Sequence, residues 1–374
     1  MQIMGCRYFS LVETVKVLSE TGLYLLVKVN GLFSFVGDLA FDDIGTYYFI
    51  PFLMKTLDIS LDHSIDLFYY GLIFVGLAVL IGAFSFLGGL WLGLFSLCSF
   101  FIIYREGFFR LTDLYIVNIF CTFLMVPLFL LVLDHFKRAN YTSCAILFIL
   151  GLVAGYSHSM RMYSSLPAVF FIGSSLVSFF KKKHLYILSF FLIGGIGVSS
   201  LHMRYLVFKA KTFLSTQGVH SVTSVKHPFW HPIYGGIGFL ENHLGITFDD
   251  ENIINKVKNI DPIIKPYSAE YEQVLRKEVF NLLYKERFLV FSAMFAKIGI
   301  ILLFLLICSN IGLLAAYLSP KGKLEYIFWS SMALSGLPGI LVLPRASYLS
   351  GFAAFAFVYG IYSVIFYLKN KQKL

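Results

Sequence analysis

Charged side chains are scarce in this chain. Asp, Glu, Lys and Arg together form 14% of its 374 residues, whereas a typical soluble domain holds about 25%. Apolar residues form 58%, and the mean hydropathy is +0.78. These values exclude an ordinary soluble domain and indicate a protein whose surface is largely solvated by lipid.

The sequence also lacks the motifs of several common enzyme classes. It contains no P-loop, no dinucleotide-binding glycine fingerprint after a strand and no Gly-x-Ser-x-Gly nucleophile turn. The five cysteines match no zinc or haem motif, and four of them fall within apolar runs, where cysteine behaves as a small hydrophobe. We therefore expect no nucleotide-driven transport by this chain alone.

Ionisable residues are almost absent within the apolar runs. Pumps and ion-coupled transporters usually place such residues at mid-membrane, so this absence counts against both classes. The formal net charge of +9 does not indicate nucleic acid, because Lys and Arg lie in short loops between the apolar runs. Loops of that composition are typical of the cytoplasmic side of a membrane.

Apolar runs of helical length dominate what is present. About 20 residues cross a bilayer as a helix, and these runs lack the alternation of barrel strands. We predict an all-α, polytopic transmembrane bundle of about nine or ten spans, with interfacial helices and one long external loop region. A weak first span is expected over residues 17–36, which include Glu20, Lys28 and Asn30. The clearer spans are predicted at residues 69–85, 88–104, 116–133, 143–155, 164–180, 185–205, 297–318, 326–342 and 351–367.

Basic residues set the predicted orientation, because they fall on alternate loops and mark those loops as cytoplasmic. The chain then divides into an N-terminal transmembrane region (1–205), an external segment (206–296) and a C-terminal transmembrane region (297–374). Within the external segment a helix is predicted to begin after Ser268, a helix-capping residue type. The basic groups are Lys137 and Arg138, Lys181 to Lys183, Lys321 and Lys323, Lys369 to Lys373 and, if the first span crosses, Arg7 and Lys16.

Two predicted external loops carry aspartates. Asp42 and Asp43 follow the first span and precede an apolar stretch with Pro51, which is predicted to form an interfacial helix. Adjacent carboxylates raise one another's pKa, so one of this pair is a candidate general base. Asp113 lies in the next external loop. The alternative is that these aspartates cap helices in solvated loops.

The other candidates are groups that bind phosphate or sugar. Arg161, in the third external loop, is permanently charged and forked, which suits phosphate, although an interfacial arginine at lipid headgroups is an equal alternative. In the external segment, Lys226 and His227 are candidate phosphate ligands, and Trp230 and His231 belong to an aromatic stretch on which a sugar could stack. Two histidines four apart could also bind a metal, but the proline between them argues against a regular helix that would align them. The alternative is an interfacial aromatic belt.

This layout resembles the GT-C superfamily of membrane glycosyltransferases. In that family a first span precedes an external loop with an acidic motif and a membrane-surface helix, and a second external loop carries another acidic residue. Asp42 and Asp43 match the first position, and Asp113 matches the second. The chain departs from larger family members in its weak first span and in lacking a large C-terminal external domain, which leaves donor and acceptor open.

The resemblance implies inverting transfer of a sugar from a polyprenyl-phosphate donor to an acceptor, at the external face of a bacterial inner membrane. Asp43 or Asp42 would deprotonate the acceptor hydroxyl, and Arg161, with Lys226 or His227, would hold the leaving phosphate. The implied partners are the lipid-linked donor and membrane lipids, without nucleic acid. No cofactor is specified, and a divalent metal stays open.

Three other functions stay open at this point. Polysaccharide polymerases and ligases also use external Arg and His on scaffolds of many spans. A transporter of lipid-linked saccharides needs polar residues along a path through the spans. A non-catalytic assembly subunit would tolerate the loss of Asp42, Asp43 and Asp113 together.

Overall fold

The computed structural model describes residues 7–37, 44–109, 114–135, 139–219 and 228–372. These residues form fifteen helices and one two-stranded hairpin, which confirms the all-α prediction. The helices are α1 (Arg7–Thr21), α2 (Thr46–Leu57), α3 (Leu61–Gly88), α4 (Leu90–Arg105), α5 (Ile116–His135), α6 (Tyr141–Met160), α7 (Leu166–Phe179), α8 (Lys182–Thr216), α9 (Trp230–Ile237), α10 (Asp250–Ile260), α11 (Ala269–Lys285), α12 (Arg287–Ser309), α13 (Ile311–Leu318), α14 (Lys323–Leu341) and α15 (Ser350–Lys371). The strands are β1 (Leu26–Val29) and β2 (Leu32–Phe35), which pair antiparallel.

Six of these helices are long and apolar enough to cross a membrane, so the chain is an integral membrane protein. They are α3, α5, α6, α8, α12 and α15, and the apolar helices α4 and α7 are shorter. α5 and α15 form the centre of the bundle, since 72% of the apolar stretch in each is buried, against 22% in α8. The outer face of α8 is therefore left for lipid.

One end of the bundle gathers basic residues. Lys369 near the end of α15 lies 2.9 Å from Asp134 on α5, and the amide of Ala139 donates to His184 near the start of α8 at 3.2 Å. Lys321, between α13 and α14, is bonded to the last part of α15. We call this the lysine end, and its composition agrees with the predicted clustering of basic residues on one face.

The first predicted span, over residues 17–36, is wrong. α1 ends within it, and β1 and β2 follow as a hairpin. Asn30 and Gly31 have φ angles of 51° and 81°, the left-handed pair that a two-residue hairpin turn requires. Lys28 forms an ion pair with Glu20, so the charges that weakened the span belong to a surface hairpin packed on a helix.

The placement of the N-terminal basic residues is corrected with it. The Tyr8 hydroxyl donates to Asp62 Oδ1 at the start of α3 at 2.9 Å, and β2 packs against α8. The start of α3 lies at the end opposite the lysine end. Arg7 and Lys16 were expected with the other basic groups if the first span crossed, but α1 and the hairpin do not cross the bundle.

The span predicted at residues 297–318 consists of two helices. α12 begins earlier, at Arg287, and Asn310, with a φ of 46°, separates it from α13. A Cβ on Gly312 would lie 2.3 Å from the Cα of Gly360, so α13 approaches α15 at backbone distance. The break lets α13 leave the axis of α12 and make this contact.

Residues 228–286, which we call the α9–α11 unit, have a hydrophobic cluster of their own. The predicted helix after Ser268 is confirmed, because the Ser268 hydroxyl accepts a hydrogen bond from the Tyr271 amide at 3.2 Å and caps α11. Tyr271, Leu275 and Val279 are buried on one face of α11. This face packs on α9 and α10, and α11 leads almost directly into α12.

Candidate functional site

The turn that carries Arg161 is held rigidly against the end of α6. The Arg161 amide donates to the Ser157 carbonyl at 2.9 Å. The hydroxyls of Ser164 and Ser165 donate to the carbonyls of Ser157 and Ala154, each at 3.0 Å. The Ser157 carbonyl thus accepts two hydrogen bonds, and both serine hydroxyls tie the turn to the last part of α6.

Arg161 lies against an aromatic residue from a second loop. Its guanidinium is 4.5 Å from the centre of the Tyr115 ring, and Nη2 donates to the Tyr115 hydroxyl at 3.2 Å. The Tyr348 ring lies edge-on at 5.4 Å from Tyr115, and Ser350 Oγ donates to the Tyr115 carbonyl at 3.2 Å. The end of α6 and the starts of α5 and α15 therefore meet here, and we call this end of the bundle the Arg161 end.

The loop before α2 reaches the same place. The Gly45 amide donates to the Ser159 carbonyl at 2.8 Å. A Cβ on Gly45 would lie 2.5 Å from Ser159 Oγ and 2.9 Å from the Met160 amide nitrogen, so only glycine allows this approach. The apolar stretch with Pro51 forms α2, as predicted, and begins directly after this contact.

Five of the predicted site residues lie outside the described residues: Asp42, Asp43, Asp113, Lys226 and His227. Their roles stay predictions. The structure does place the residues that follow two of these segments, since Gly45 contacts the turn of Arg161 and Tyr115 contacts Arg161 itself.

Two buried polar atoms lie beside these contacts. Within the described parts of the chain, Thr46 Oγ1 and Asn118 Oδ1 have no hydrogen-bond partner. The Asn118 side-chain Nδ2 donates to Ser350 Oγ at 3.1 Å. This bond holds the side chain in place, while its Oδ1 has no partner among the described residues. Most buried polar atoms are paired in folded proteins, so these two are exceptions, as are Ser85 Oγ and Ser175 Oγ elsewhere in the described bundle.

His231 lies inside the α9–α11 unit. It is 5% exposed, with Nδ1 2.6 Å from the Tyr271 hydroxyl and Nε2 3.0 Å from Asp250 Oδ1. Burial, with the neighbouring Tyr267 and the carboxylates of Glu272 and Asp250, raises the pKa of Tyr271, so its hydroxyl stays protonated. Both ring nitrogens of His231 are therefore engaged by this unit, and its role as a substrate ligand stays a prediction.

Trp230 begins α9 and packs against Phe280 of α11, with ring centres 5.6 Å apart. Glu272 accepts hydrogen bonds from the amides of Phe229 and Trp230, both at 2.7 Å, and from that of His231 at 3.2 Å. A carboxylate at a helix N-terminus is favoured by the free amides and by the helix dipole. The aromatic stretch is thus locked to α11, and sugar stacking on Trp230 stays a prediction.

Sequence reasoning missed two cations at the Arg161 end. Arg345 is exposed in the loop between α14 and α15, 5.5 Å from the ring centre of Phe248. Lys297 on α12 is buried, and its Nζ donates to the carbonyls of Ile340 and Val342 at 3.0 and 2.9 Å, which caps the end of α14. An arginine in a predicted external loop, against the general charge pattern, was the available signal for Arg345.

No group of three or more His, Cys, Asp or Glu side chains within the described ranges is placed to hold a metal ion. A comparison with known protein families, curated proteins and solved structures finds no match. The resemblance to GT-C enzymes therefore rests on the sequence layout alone.

Proposed function

We propose that this chain is a membrane glycosyltransferase that moves a sugar from a polyprenyl-phosphate donor to an acceptor at the Arg161 end. The positive-inside pattern makes the lysine end cytoplasmic, so the site would face outward, on the periplasmic side if the membrane is a bacterial inner membrane. The observation that carries the proposal is the meeting of two loops at the turn of Arg161.

Chain connectivity relates this meeting point to the predicted carboxylates. Gly45 is two residues after Asp43, and Tyr115 is two residues after Asp113. Gly45 and Tyr115 are thus close sequence neighbours of the predicted carboxylates. Both neighbours contact the turn that carries Arg161. An acid–base group and a phosphate-binding cation at one membrane face are what the proposed reaction requires.

The proposed reaction is a single displacement. A first-loop carboxylate, Asp43 or Asp42, takes the proton of an acceptor hydroxyl, whose oxygen forms a bond to the anomeric carbon. The bond between that carbon and the phosphate oxygen breaks with inversion, and polyprenyl phosphate leaves with the electron pair. Arg161 would stabilise the negative charge that develops on the phosphate, while the lipid tail stays among the spans.

The fixed position of Arg161 supports this role over a loose contact with lipid headgroups. Stacking on Tyr115 orients the guanidinium plane, and the serine-bonded turn restricts its backbone. Preorganised charge stabilises a transition state because little reorganisation is needed when the reaction occurs. Arg345 lies in the same loop as Tyr348, between α14 and α15, and is a second cation that could bind the donor phosphate or diphosphate.

Substitution of Arg161 tests the proposal. We expect Arg161→Ala to lower sugar transfer by about 10²–10³-fold, as for loss of one charge-stabilising donor. Arg161→Lys should retain more activity, because the charge remains while the bidentate fork is lost. The measurement is the ratio of unused lipid-linked donor to finished glycan in cells with matched protein levels. Arg204→Ala, at an exposed arginine of α8, is the control and should leave the ratio unchanged.

The outcome also separates the proposal from its alternatives. A non-catalytic assembly subunit predicts no dependence on the shape of the cation, so Arg161→Ala with normal glycan would reject the transferase. A transporter predicts accumulation of the donor on the cytoplasmic side, whereas the transferase predicts accumulation on the outer side.

A further inference from the structure

A concave site lies on the α9–α11 unit, apart from the residues around Arg161. It is formed by α10, α11 and the loop over residues 244–247, and encloses about 510 Å³. Sites for small molecules typically enclose about 300–1,000 Å³. The cavity is therefore large enough for a ligand of several rings or a short sugar chain.

Four asparagine side chains contribute to its polar lining. Asn255 and Asn259 on α10 are four residues apart and share a helix face, and Asn281 faces them from α11. All three are exposed and make no hydrogen bond to any residue that the structure describes, whereas Asn252 donates to Thr247 Oγ1 at 2.7 Å. Each carboxamide offers two donor hydrogens and one acceptor oxygen.

The charges in the lining cancel. Lys256 lies 3.5 Å from Glu278, and Lys285 and Glu286 complete two basic and two acidic groups. An excess of positive charge would favour a phosphate or another anion through charge-assisted hydrogen bonds, and this cavity lacks that excess. A neutral ligand that both donates and accepts hydrogen bonds matches the lining better.

The inner part of the cavity is apolar. Tyr234, Ile246 and Leu282 line it and are buried. Burial and the neighbouring carboxylate of Glu278 raise the pKa of Tyr234 to about 12, so the hydroxyl is neutral at physiological pH. An apolar floor with amides around it matches a sugar ring, which presents C–H groups on its face and hydroxyls along its edge.

We propose that this cavity binds the neutral oligosaccharide portion of the acceptor. The inference rests on the proposed glycosyltransferase function and names where the acceptor is held beyond its reacting hydroxyl. Phe248 connects the cavity to the Arg161 end. It follows the lining residue Thr247 in the sequence, and its ring contacts Arg345. Arg345 shares its loop with Tyr348, the residue that packs on the Tyr115 of the Arg161 site.

Binding of sugar probes tests the cavity directly. The full-length protein in lipid nanodiscs, free of detergents with sugar headgroups, is mixed separately with neutral trisaccharides of glucose, galactose, mannose and N-acetylglucosamine. A uronate-containing trisaccharide serves as the charged probe. Saturation-transfer NMR should detect binding of at least one neutral probe, and that probe should bind more tightly than the charged one.

Two alanine substitutions then locate the binding. The double variant Asn255→Ala and Asn281→Ala changes exposed helix positions, where alanine favours the helix, so folding should survive. We expect at least about tenfold weaker binding of the neutral probe, because each lost hydrogen bond weakens binding several-fold. Lys258→Ala and Lys277→Ala are controls on the same two helices outside the lining, and should bind as the wild type does.

The result separates the two proposals. No binding of any neutral probe, preference for the charged probe, or unchanged binding in the double variant would overturn the cavity assignment. If Arg161→Ala lowers transfer while the cavity binds nothing, the transferase stands and the cavity assignment fails. If the probe binds through the cavity but Arg161→Ala leaves transfer unchanged, the transferase fails instead, and with it the acceptor role assigned to the cavity.

Discussion

Replacing Gly45 by alanine tests whether the loop before α2 must contact the turn of Arg161. Gly45 has φ −59° and ψ −36°, a helical conformation that alanine adopts readily. Backbone freedom is therefore not the reason for a glycine here. The reason is space, since an added Cβ would lie 2.5 Å from Ser159 Oγ and 2.9 Å from the Met160 nitrogen.

The expected magnitude comes from these contacts. The Ser159 hydroxyl could rotate away, but the Met160 nitrogen is backbone and cannot, so the loop must move by several tenths of an ångström. Overpacking of this kind costs about 1–3 kcal/mol. A displacement of about 1 Å in a catalytic group lowers the rate by about 10²-fold. We therefore expect Gly45→Ala to lower sugar transfer by at least about tenfold. The thermal midpoint should fall only by the amount that a loss of about 1–3 kcal/mol produces.

Gly82→Ala is the matched control. Gly82 lies within α3, and a Cβ there meets nothing within 4 Å. Alanine in a helix interior is favoured over glycine by roughly 0.5–1 kcal/mol, so this variant should be as stable as the wild type or more so, with unchanged transfer. Wild-type transfer and a wild-type thermal midpoint in Gly45→Ala would show that the two loops do not need this contact.

Two further predictions concern topology and the α9–α11 unit. Single cysteines placed at Lys183 and Lys258 should differ in their labelling by an impermeant thiol reagent. In intact cells the reagent should label position 258, and it should label position 183 only after permeabilisation. The reverse pattern would place the Arg161 end in the cytoplasm. Glu272→Gln should weaken the N-terminus of α9 by about 1 kcal/mol, because the charge that faces three helix amides is lost. Hydrogen exchange at the amides of Trp230 and His231 should then be faster than in the wild type. The control Glu270→Gln, in the same turn of α11, should change the exchange of these amides little. Equal exchange rates in the two variants would contradict the capping role of Glu272.

The transmembrane helices were predictable because continuous apolar runs of spanning length have few structural alternatives. Each of the nine clearer predicted spans falls on a helix, but only six of the described helices are long and apolar enough to cross a membrane, against the predicted nine or ten, and the run at 297–318 is divided by Asn310. Asn310 has a positive φ angle, and two residues later Gly312 approaches Gly360, which is far from it in sequence. Hydropathy along the chain contains no information about such a contact.

The prediction of the first span was wrong, although the sequence contains local evidence against it. Asn30-Gly31 is a strong signal for a two-residue hairpin turn, and Glu20 and Lys28 are costly in lipid. The average apolarity of residues 17–36 alone favours a span and does not register this turn. The prediction of α11 is confirmed, because a capping serine and a periodic apolar face both indicate a helix at this place.

The site could be predicted only in part. Arg161 was identified by its type and loop, but its stacking on Tyr115 and the role of Gly45 depend on how separate helices end. His231 was interpreted as a ligand because histidine titrates near neutral pH, yet Tyr271 and Asp250 occupy its nitrogens. Residue type suggested the chemistry, while the partners of each side chain were set by tertiary packing.

The most direct test of the proposed transferase removes both first-loop carboxylates in the cell. Asn in place of Asp42 and Asp43 keeps the side-chain shape and the ability to cap a helix, but cannot act as a base. At matched protein level, we expect the double variant to lose at least about 10²-fold in transfer, so that lipid-linked sugar accumulates and the finished glycan disappears. Wild-type glycan and wild-type levels of lipid-linked sugar in the double variant would contradict the proposed transferase function.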